Sequence, residues 1–324
     1  MDKVRWGILS TARIGVQKVI PAMQKGRFSD VVAIASRSGD RANEAADKLN
    51  IGKRYESYEA LLNDPDIDSV YNPLPNHLHV PWTIRAMEAG KHVLCEKPIG
   101  LNAGEALKLV EATRQFPHLK VMEAFMYRFH PQWQKAKELV LNGSIGEVRT
   151  LHSFFSYYNT DPDNIRNKAD IGGGALMDIG CYCISFPRFI FDEEPVHITG
   201  EMDFDPVMKT DRLTSGLLRF PSGKTSTFTC STQLMPYQKV HITGTGGQIT
   251  IEIPVNAPPG EITSIILTTK DLTETFSFDP VDQYTLQGDA FSKAVMDDKP
   301  VPVPLDDAVN NMKVIDRIRT GYSN

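Results

Sequence analysis

The chain has 324 residues, with 35 Lys and Arg against 40 Asp and Glu, a net charge of −5, 41% hydrophobic and 23% charged residues. These proportions exclude collagen-like, disordered and disulfide-scaffold classes, and the acidic balance argues against a nucleic-acid or anionic-membrane surface, which needs clustered Lys and Arg. The length suggests about two domains, no run of about 18 apolar residues predicts a bilayer span, and four scattered cysteines form neither a disulfide framework nor a CxxC zinc pair.

At the start, Met1-Asp2-Lys3-Val4-Arg5-Trp6 lacks the apolar core of a signal peptide, so a reduced cytoplasmic setting is the expectation. Val4–Leu9 reads as a buried strand and Ile14–Gln24 as a helix. Strands at Val31–Ala35, Ser69–Asn72, His92–Cys95 and Leu119–Met122 follow, interleaved with helices at Ala42–Leu49, His79–Ala89 and Ala103–Arg114. Such alternation predicts right-handed βαβ crossovers and a parallel sheet covered on both faces. After a helix at Gln132–Leu141 the pattern changes to alternating stretches: Thr150–Tyr158, Val196–Met202, Leu213–Phe220, Thr225–Thr232, Lys239–Thr243, Gln248–Ile253 and Ile262–Thr268. A helix at Leu176–Phe191 interrupts them, and helices at Gln283–Met296 and Asp306–Arg319 close the chain. The expected fold class is α/β plus α+β. Residues 1–125 form a doubly wound parallel-sheet domain that binds a dinucleotide. Residues 126–324 form an open, mostly antiparallel sheet with a few helices, and the last helix, 305–322, packs back on the first domain.

The first strand–helix turn is Ser10-Thr11-Ala12-Arg13-Ile14-Gly15. A dinucleotide-binding turn normally carries glycines at the positions of Ser10, Ala12 and Gly15, so that backbone N–H groups at the helix start can approach a pyrophosphate. Small side chains meet that need in part; an ordinary strand–helix turn is the alternative, and the position at the first βα junction favours the cofactor. At the end of the second strand stand Ala35-Ser36-Arg37-Ser38, with no carboxylate to bind a ribose 2′-hydroxyl. Arg37 can pair with a 2′-phosphate and stack on adenine. NADP(H) is therefore expected ahead of NAD(H); the alternative is a solvated Arg37, with Asp40 serving only as a helix N-cap.

Two further groups point to chemistry. Cys95-Glu96-Lys97-Pro98 leaves the fourth strand at the carboxyl edge of the sheet, where ligands of such sheets lie. Gly172-Gly173-Gly174 opens the helix that carries Asp178 and Tyr182, four apart on one face. The alternatives are a solvated lysine and simple helix punctuation. No His or Cys stands at metal-ligand spacing beside Asp178 and Tyr182, so no metal is expected.

With these motifs in order, the chain resembles the Gfo/Idh/MocA oxidoreductases over nearly its whole length. The resemblance rests on Gly7–Gly15, Asn72-Pro73-Leu74-Pro75-Asn76-His77, Glu96-Lys97-Pro98, Phe125–Pro131 and Gly172–Tyr182. Tyr182, where many members carry His, is similar to the branch of glucose–fructose oxidoreductase, NADP-dependent D-xylose dehydrogenase and dimeric dihydrodiol dehydrogenase, as are Asn164-Ile165-Arg166 and the Pro-rich segment before the last helix. The resemblance implies a Rossmann domain, a second sheet that buries its open face against another subunit (a homodimer or tetramer), and a nicotinamide pocket shaped by Lys97 and Pro98. It implies cofactor contacts at Ser10, Thr11, Ala12, Arg13, Ile14, Ser36, Arg37, Asn72, Pro73, Leu74, Asn76, His77, Glu96, Lys97 and Arg166. Arg128, Arg166, Asn76 and His77 are further candidates to hold a polyol, with His77 equally readable as a helix-start residue.

The residue chemistry fits a hydride transfer. Tyr182 would exchange a proton with a sugar or diol hydroxyl, Lys97 would favour its phenolate, and Asp178 would hold a neighbouring hydroxyl. Of the Tyr157–Tyr158 pair, Tyr158 is taken as a substrate contact, against the alternative of strand packing. The expected activity is an NADP(H)-dependent oxidoreductase acting on D-xylose, a similar aldose or a trans-dihydrodiol. The alternatives are an NADPH-dependent reductase of a keto-sugar, nucleotide-linked sugar or dicarbonyl, and an NADP(H)-binding redox sensor.

Overall fold

The computed structural model describes residues Asp2–Gly321; the expected end of the last helix at residue 322 lies outside them. The chain divides into two compact units. One comprises the chain through Met126 together with Tyr284–Val309; the other comprises Tyr127–Gln283 and the chain from Asn310 onward.

The first unit is built by strand–helix alternation. In order come β1 (Val4–Leu9), a π-helical turn at Gly15–Val19, α1 (Ile20–Met23), β2 (Ser29–Ala35), α2 (Gly39–Leu49), β3 (Lys53–Tyr55), α3 (Tyr58–Leu62), β4 (Ser69–Asn72), α4 (Asn76–Glu88), β5 (His92–Cys95), α5 (Ala103–Thr113) and β6 (Val121–Glu123). The six strands are parallel and run β3-β2-β1-β4-β5-β6. Trp6, Ile8, Ile34, Val70, Val93 and Leu94 are fully buried, as expected of a parallel sheet covered on both faces. Strand order reverses between β1 and β4. The loops after those two strands, Ser10–Gly15 and Pro73–His77, therefore flank the crevice in which doubly wound sheets hold their ligands. β3 and α3 were not expected from the sequence: one is three residues with two charges, the other a single turn. Ser38, not Asp40, caps α2, its Oγ accepting the Arg41 N–H at 3.5 Å.

The second unit begins with α6 (Pro131–Leu141) and β7 (Val148–Tyr158). A π-helical turn at Leu176–Gly180 leads into α7 (Cys181–Phe191). Strands β8 (His197–Phe204), β9 (Asp211–Arg219), β10 (Thr225–Ser231), β11 (Gln233–Gly244), β12 (Gly247–Ile251), β13 (Thr263–Thr269) and β14 (Thr273–Phe278) follow. The eight strands run β14-β13-β12-β11-β7-β10-β9-β8, antiparallel except between β7 and β10. Period-two alternation sets the faces: Leu151, Ser153 and Phe155 are buried, while His152 between them is exposed. α7 packs on β7 and β10, and Trp133 of α6 stacks on Phe186 of α7 at 4.6 Å. Ala169–Phe191, though interrupted by Asp170, Asp178 and Arg188, is long and apolar enough (mean hydropathy 1.2 over its best 18 residues) to cross a membrane by length and composition. It is 89% buried within the fold and serves as core, since α7 is apolar all round because it is enclosed all round.

The last two helices are α8 (Gln283–Met296) and α9 (Leu305–Gly321). α8 joins the first unit: Asp289 accepts the backbone N–H groups of Arg27 and Phe28 at 2.8 and 2.9 Å, and Ser292 Oγ accepts the Trp6 indole N–H at 3.1 Å. α9 departs from the expectation that it packs wholly on the first domain. Only Leu305–Val309 groups with that unit. Beyond it Asn311 donates to the Cys181 carbonyl and accepts from buried Arg188, both at 3.1 Å, which draws the rest of the helix into the second unit.

Candidate active site

In the first unit the turn after β1 keeps a glycine-like backbone without the glycine. Ser10 has φ 125°, a region that favours glycine, and its Oγ accepts the Ala12 N–H at 3.2 Å. Thr11, Ala12 and Ile14 are half-buried beside it, while Arg13 is exposed and bonds Gln17 at 2.9 Å. At the end of β2, Ser36 is buried and its Oγ accepts the Ser38 N–H at 3.2 Å. Arg37 is exposed beside the Tyr58 phenol, whose pKa is raised by burial and pulled back by the guanidinium. The one cationic side chain at that strand end thus stands in solvent.

The loop after β4 is tied from within. Asn72 is fully buried; its Nδ2 donates to the His79 carbonyl (3.1 Å) and Thr83 Oγ1 (3.2 Å), and its Oδ1 accepts the Leu74 N–H at 3.3 Å. Its side chain therefore holds Pro73 and Leu74 in place rather than reaching outward, which qualifies its expected role as a cofactor contact. Asn76 and His77 open α4, and His77 Nδ1 is buried without a hydrogen-bond partner. His79 was missed by the sequence reading, which placed it at a helix start. Its Nδ1 lies 2.7 Å from the Pro98 carbonyl and its Nε2 2.6 Å from the Leu74 carbonyl, so the ring sits between the two loops and, when neutral, donates to one of the two carbonyls. Burial outweighs both carbonyls and lowers its pKa to about 4. Glu96 accepts the hydroxyl of buried Tyr71 at 2.5 Å, and Lys97 joins Pro98 through a cis peptide bond.

The second unit gathers its functional groups at the start of α7. Asp178 lies in the π-turn, one oxygen accepting from Tyr157 (2.6 Å) and the other from Arg166 Nε (3.0 Å). Burial first, and the Asp178 carboxylate second, push the Tyr157 phenol above its ordinary range, so it stays protonated and donating. Tyr158 is 65% exposed at the strand end. Adjacent strand residues face opposite sides, so Tyr158, the expected substrate contact, lies on the other face of β7 from Tyr157, which bonds Asp178. Arg166 sits on a short 3₁₀ turn (Ile165–Asn167) against Asp178, in the second unit rather than the unit of the Ser10 turn. Tyr182 is 4% exposed, edge-on to Tyr127 and Phe155 with ring centroids 6.0 and 6.1 Å away. Arg128 donates to Ser185 Oγ (2.9 Å), fixing it along α7. A cavity of about 420 Å³ opens beside Tyr157, lined also by Tyr237, Gln238, Glu252 and Asn256.

Sequence comparison agrees with this geometry. Residues 4–124 match the oxidoreductase family with an NAD-binding Rossmann fold, and residues 133–250 match the GFO/IDH/MocA C-terminal domain. The chain belongs to the Gfo/Idh/MocA oxidoreductase family. This family member is 45% identical to an uncharacterized oxidoreductase of Rhizobium meliloti, covering 98% of this chain and 97% of that one. It is 38% identical to D-xylose 1-dehydrogenase (NADP(+)) 2 of Haloferax volcanii, over 97% and 95%. Its fold superimposes on a 3-ketoreductase from Actinomadura kijaniata, solved in complex with NADP and TDP-benzene, with a TM-score of 0.90, 30% identity and 98% coverage of both chains.

The residues present fit a nicotinamide dinucleotide. Ser10 accepts a backbone conformation it would not choose, and with the Ala12 N–H taken by Ser10 Oγ the helix-start N–H groups left to meet an anion are those of Arg13 and Ile14; His77 Nδ1 is an orphaned polar atom in the loop that flanks the same crevice. Among the described residues no group of three His, Cys, Asp or Glu stands close enough to hold a metal ion.

Proposed function

We propose that this oxidoreductase transfers a hydride between NADP(H) and a hydroxyl of a neutral sugar or diol, with an aldose such as D-xylose as the first candidate. The observation that carries the reading is the Asp178 carboxylate, held on both oxygens by Tyr157 and Arg166, one helical turn ahead of Tyr182. A carboxylate so oriented keeps lone pairs for a substrate hydroxyl, and Tyr182 is the group to exchange the proton. The cofactor supplies the hydride acceptor. Ser10 to Ile14, Pro73 to His77, and Glu96 with Lys97 bind and orient it. Arg37, with no acid among residues 36–38, supports NADP(H) over NAD(H).

The likeness to a 3-ketoreductase favours a second reading, reduction of a keto-sugar. The test is nicotinamide absorbance with purified enzyme. NADP⁺ is expected to be reduced with one or more free aldoses or diols, and NAD⁺ far more slowly; turnover only with NADPH and nucleotide-linked keto-sugars would transfer the assignment to the second reading.

The proposal includes self-association through the open sheet face, where Phe154 and Tyr237 meet at 5.5 Å and Leu217 stays 39% exposed. Sedimentation is expected to give a dimer or tetramer; a monomer at micromolar concentration would remove this part.

A further inference from the structure

The geometry points to Asp211 as a positioning residue that fixes the N-terminal turn of the helix presenting Asp178 and Tyr182. Asp211 opens β9 and is buried at 5% exposure. Its Oδ2 accepts the Leu176 N–H at 2.7 Å and the Thr214 hydroxyl at 2.8 Å. Leu176 begins the π-turn that contains Asp178. The same carboxylate fills the space beside Gly174, where a Cβ would stand 1.9 Å from Oδ1 and where φ is 118°. Gly174 in turn donates its N–H to the Arg166 carbonyl (2.8 Å), and its own carbonyl accepts the Asp178 N–H (3.0 Å). One buried carboxylate thus holds the turn that aims three candidate site residues, without touching substrate itself.

A carboxylate at a helix start meets both the unpaired N–H groups and the positive end of the helix dipole. Here the anion is costly. Burial raises its pKa to about 6, against the Leu176 and Thr214 donors and Arg319 of α9, which favour the charged form. Tyr157 of β7 and Cys230 of β10 also face it; burial is the main reason both are raised, and the Asp211 charge adds to each. Asp211 therefore takes up a proton within the working range, and the grip on the Leu176 N–H weakens when it does.

The inference rests on the proposed roles of Asp178 and Tyr182, and its test separates the two. Asp211→Asn is expected to lower kcat by about 10- to 100-fold, as a small misplacement of reacting groups does, with KM for NADP⁺ unchanged and the acid limb of the kcat–pH profile near 6 abolished. Thr214→Val removes one donor while keeping shape, raises the Asp211 pKa, and is expected to move that limb to higher pH. It serves alone if Asp211→Asn does not fold. Amide exchange of residues 174–180 is expected to quicken in both variants. Full kcat with an unshifted acid limb and unchanged exchange would overturn the positioning role. Tyr182→Phe with full turnover would instead sink the proposed chemistry, while exchange still reports whether Asp211 holds the turn.

Discussion

Two tyrosines near the Asp178 carboxylate have the same functional group and opposite roles. Tyr157 donates to Asp178 at 2.6 Å, and its pKa is raised by burial and by that carboxylate, so it fixes the acid and does not carry protons. Tyr182, one helical turn beyond Asp178, is the proposed acid–base. Tyr182→Phe is expected to cut turnover by on the order of 10²-fold or more while leaving NADP(H) affinity unchanged, checked by steady-state rates and a fluorescence titration. Equal loss of cofactor binding would mean that the ring is packing, not chemistry. Asp178, Tyr182 and Lys97 can be proposed from the sequence because each lies in a short contiguous motif. Tyr157, His79 and Asp211 were not, because their meaning depends on partners far along the chain: Tyr157 on Asp178, 21 positions away, His79 on Pro98, 19 away, and Asp211 on Leu176, 35 away. Strand parity alone could have preferred Tyr157 to Tyr158. Nothing local marks Asp211, an acid at a strand start, as a helix cap.

The helix that follows the Ser10–Ile14 turn and the helix that carries Tyr182 both open with a π-turn, Gly15–Val19 and Leu176–Gly180, a feature recurrent at functional sites. The sequence placed these helices but not their opening geometry, since apolar spacing reports the face of a helix rather than its hydrogen-bond register. The strands were read best where period-two burial runs over several residues, as over Leu151–Phe155 of β7, and missed where brevity or exposure removed the signal, as in β3 (Lys53–Tyr55) and the edge strand β14 (Thr273–Phe278). The glycines of the two turns differ in what they do. At Gly15 a Cβ would meet Tyr71 at an ordinary 3.7 Å, whereas at Gly174 it would meet Asp211 at 1.9 Å with φ 118°. Gly174→Ala is expected to destabilise the second unit by roughly 2–4 kcal/mol, combining forbidden backbone with overpacking. Gly15→Ala is expected to leave the thermal midpoint unchanged or slightly raised, because Ala is the better helix former. Equal midpoints for the two variants would contradict the reading of the Gly174 turn.

At the scale of the molecule, the net charge of −5 offers no positive field to gather an anionic cofactor, so its binding falls to local groups such as Arg37 and the Ser10–Ile14 turn. The same acidic chain carries three histidines held neutral. Burial lowers His79, His92 and His130 to about 4. Two of them use the neutral ring as an acceptor, His92 Nδ1 from the Lys120 N–H at 2.9 Å and His130 Nδ1 from the Gln132 N–H at 3.2 Å. A folded pKa below the unfolded value of about 6.5 means that the unfolded chain binds more protons between those limits. Stability contributed by these rings is therefore complete above pH 6.5 and lost as pH falls toward 4. Asp211 has the opposite sign: its folded pKa of about 6 lies above the ordinary 3.8, so acidification through the same window favours the folded state. Each full shift is worth up to about 3 kcal/mol for a completely buried group such as His79, and less for His92 and His130. Three against one leaves a net loss. The thermal midpoint is expected to fall by several degrees between pH 7 and pH 5, and His130→Asn, which keeps an acceptor for the Gln132 N–H but does not titrate, should reduce that fall. A midpoint that holds or rises on acidification would show that Asp211, not the histidines, dominates the proton balance of folding.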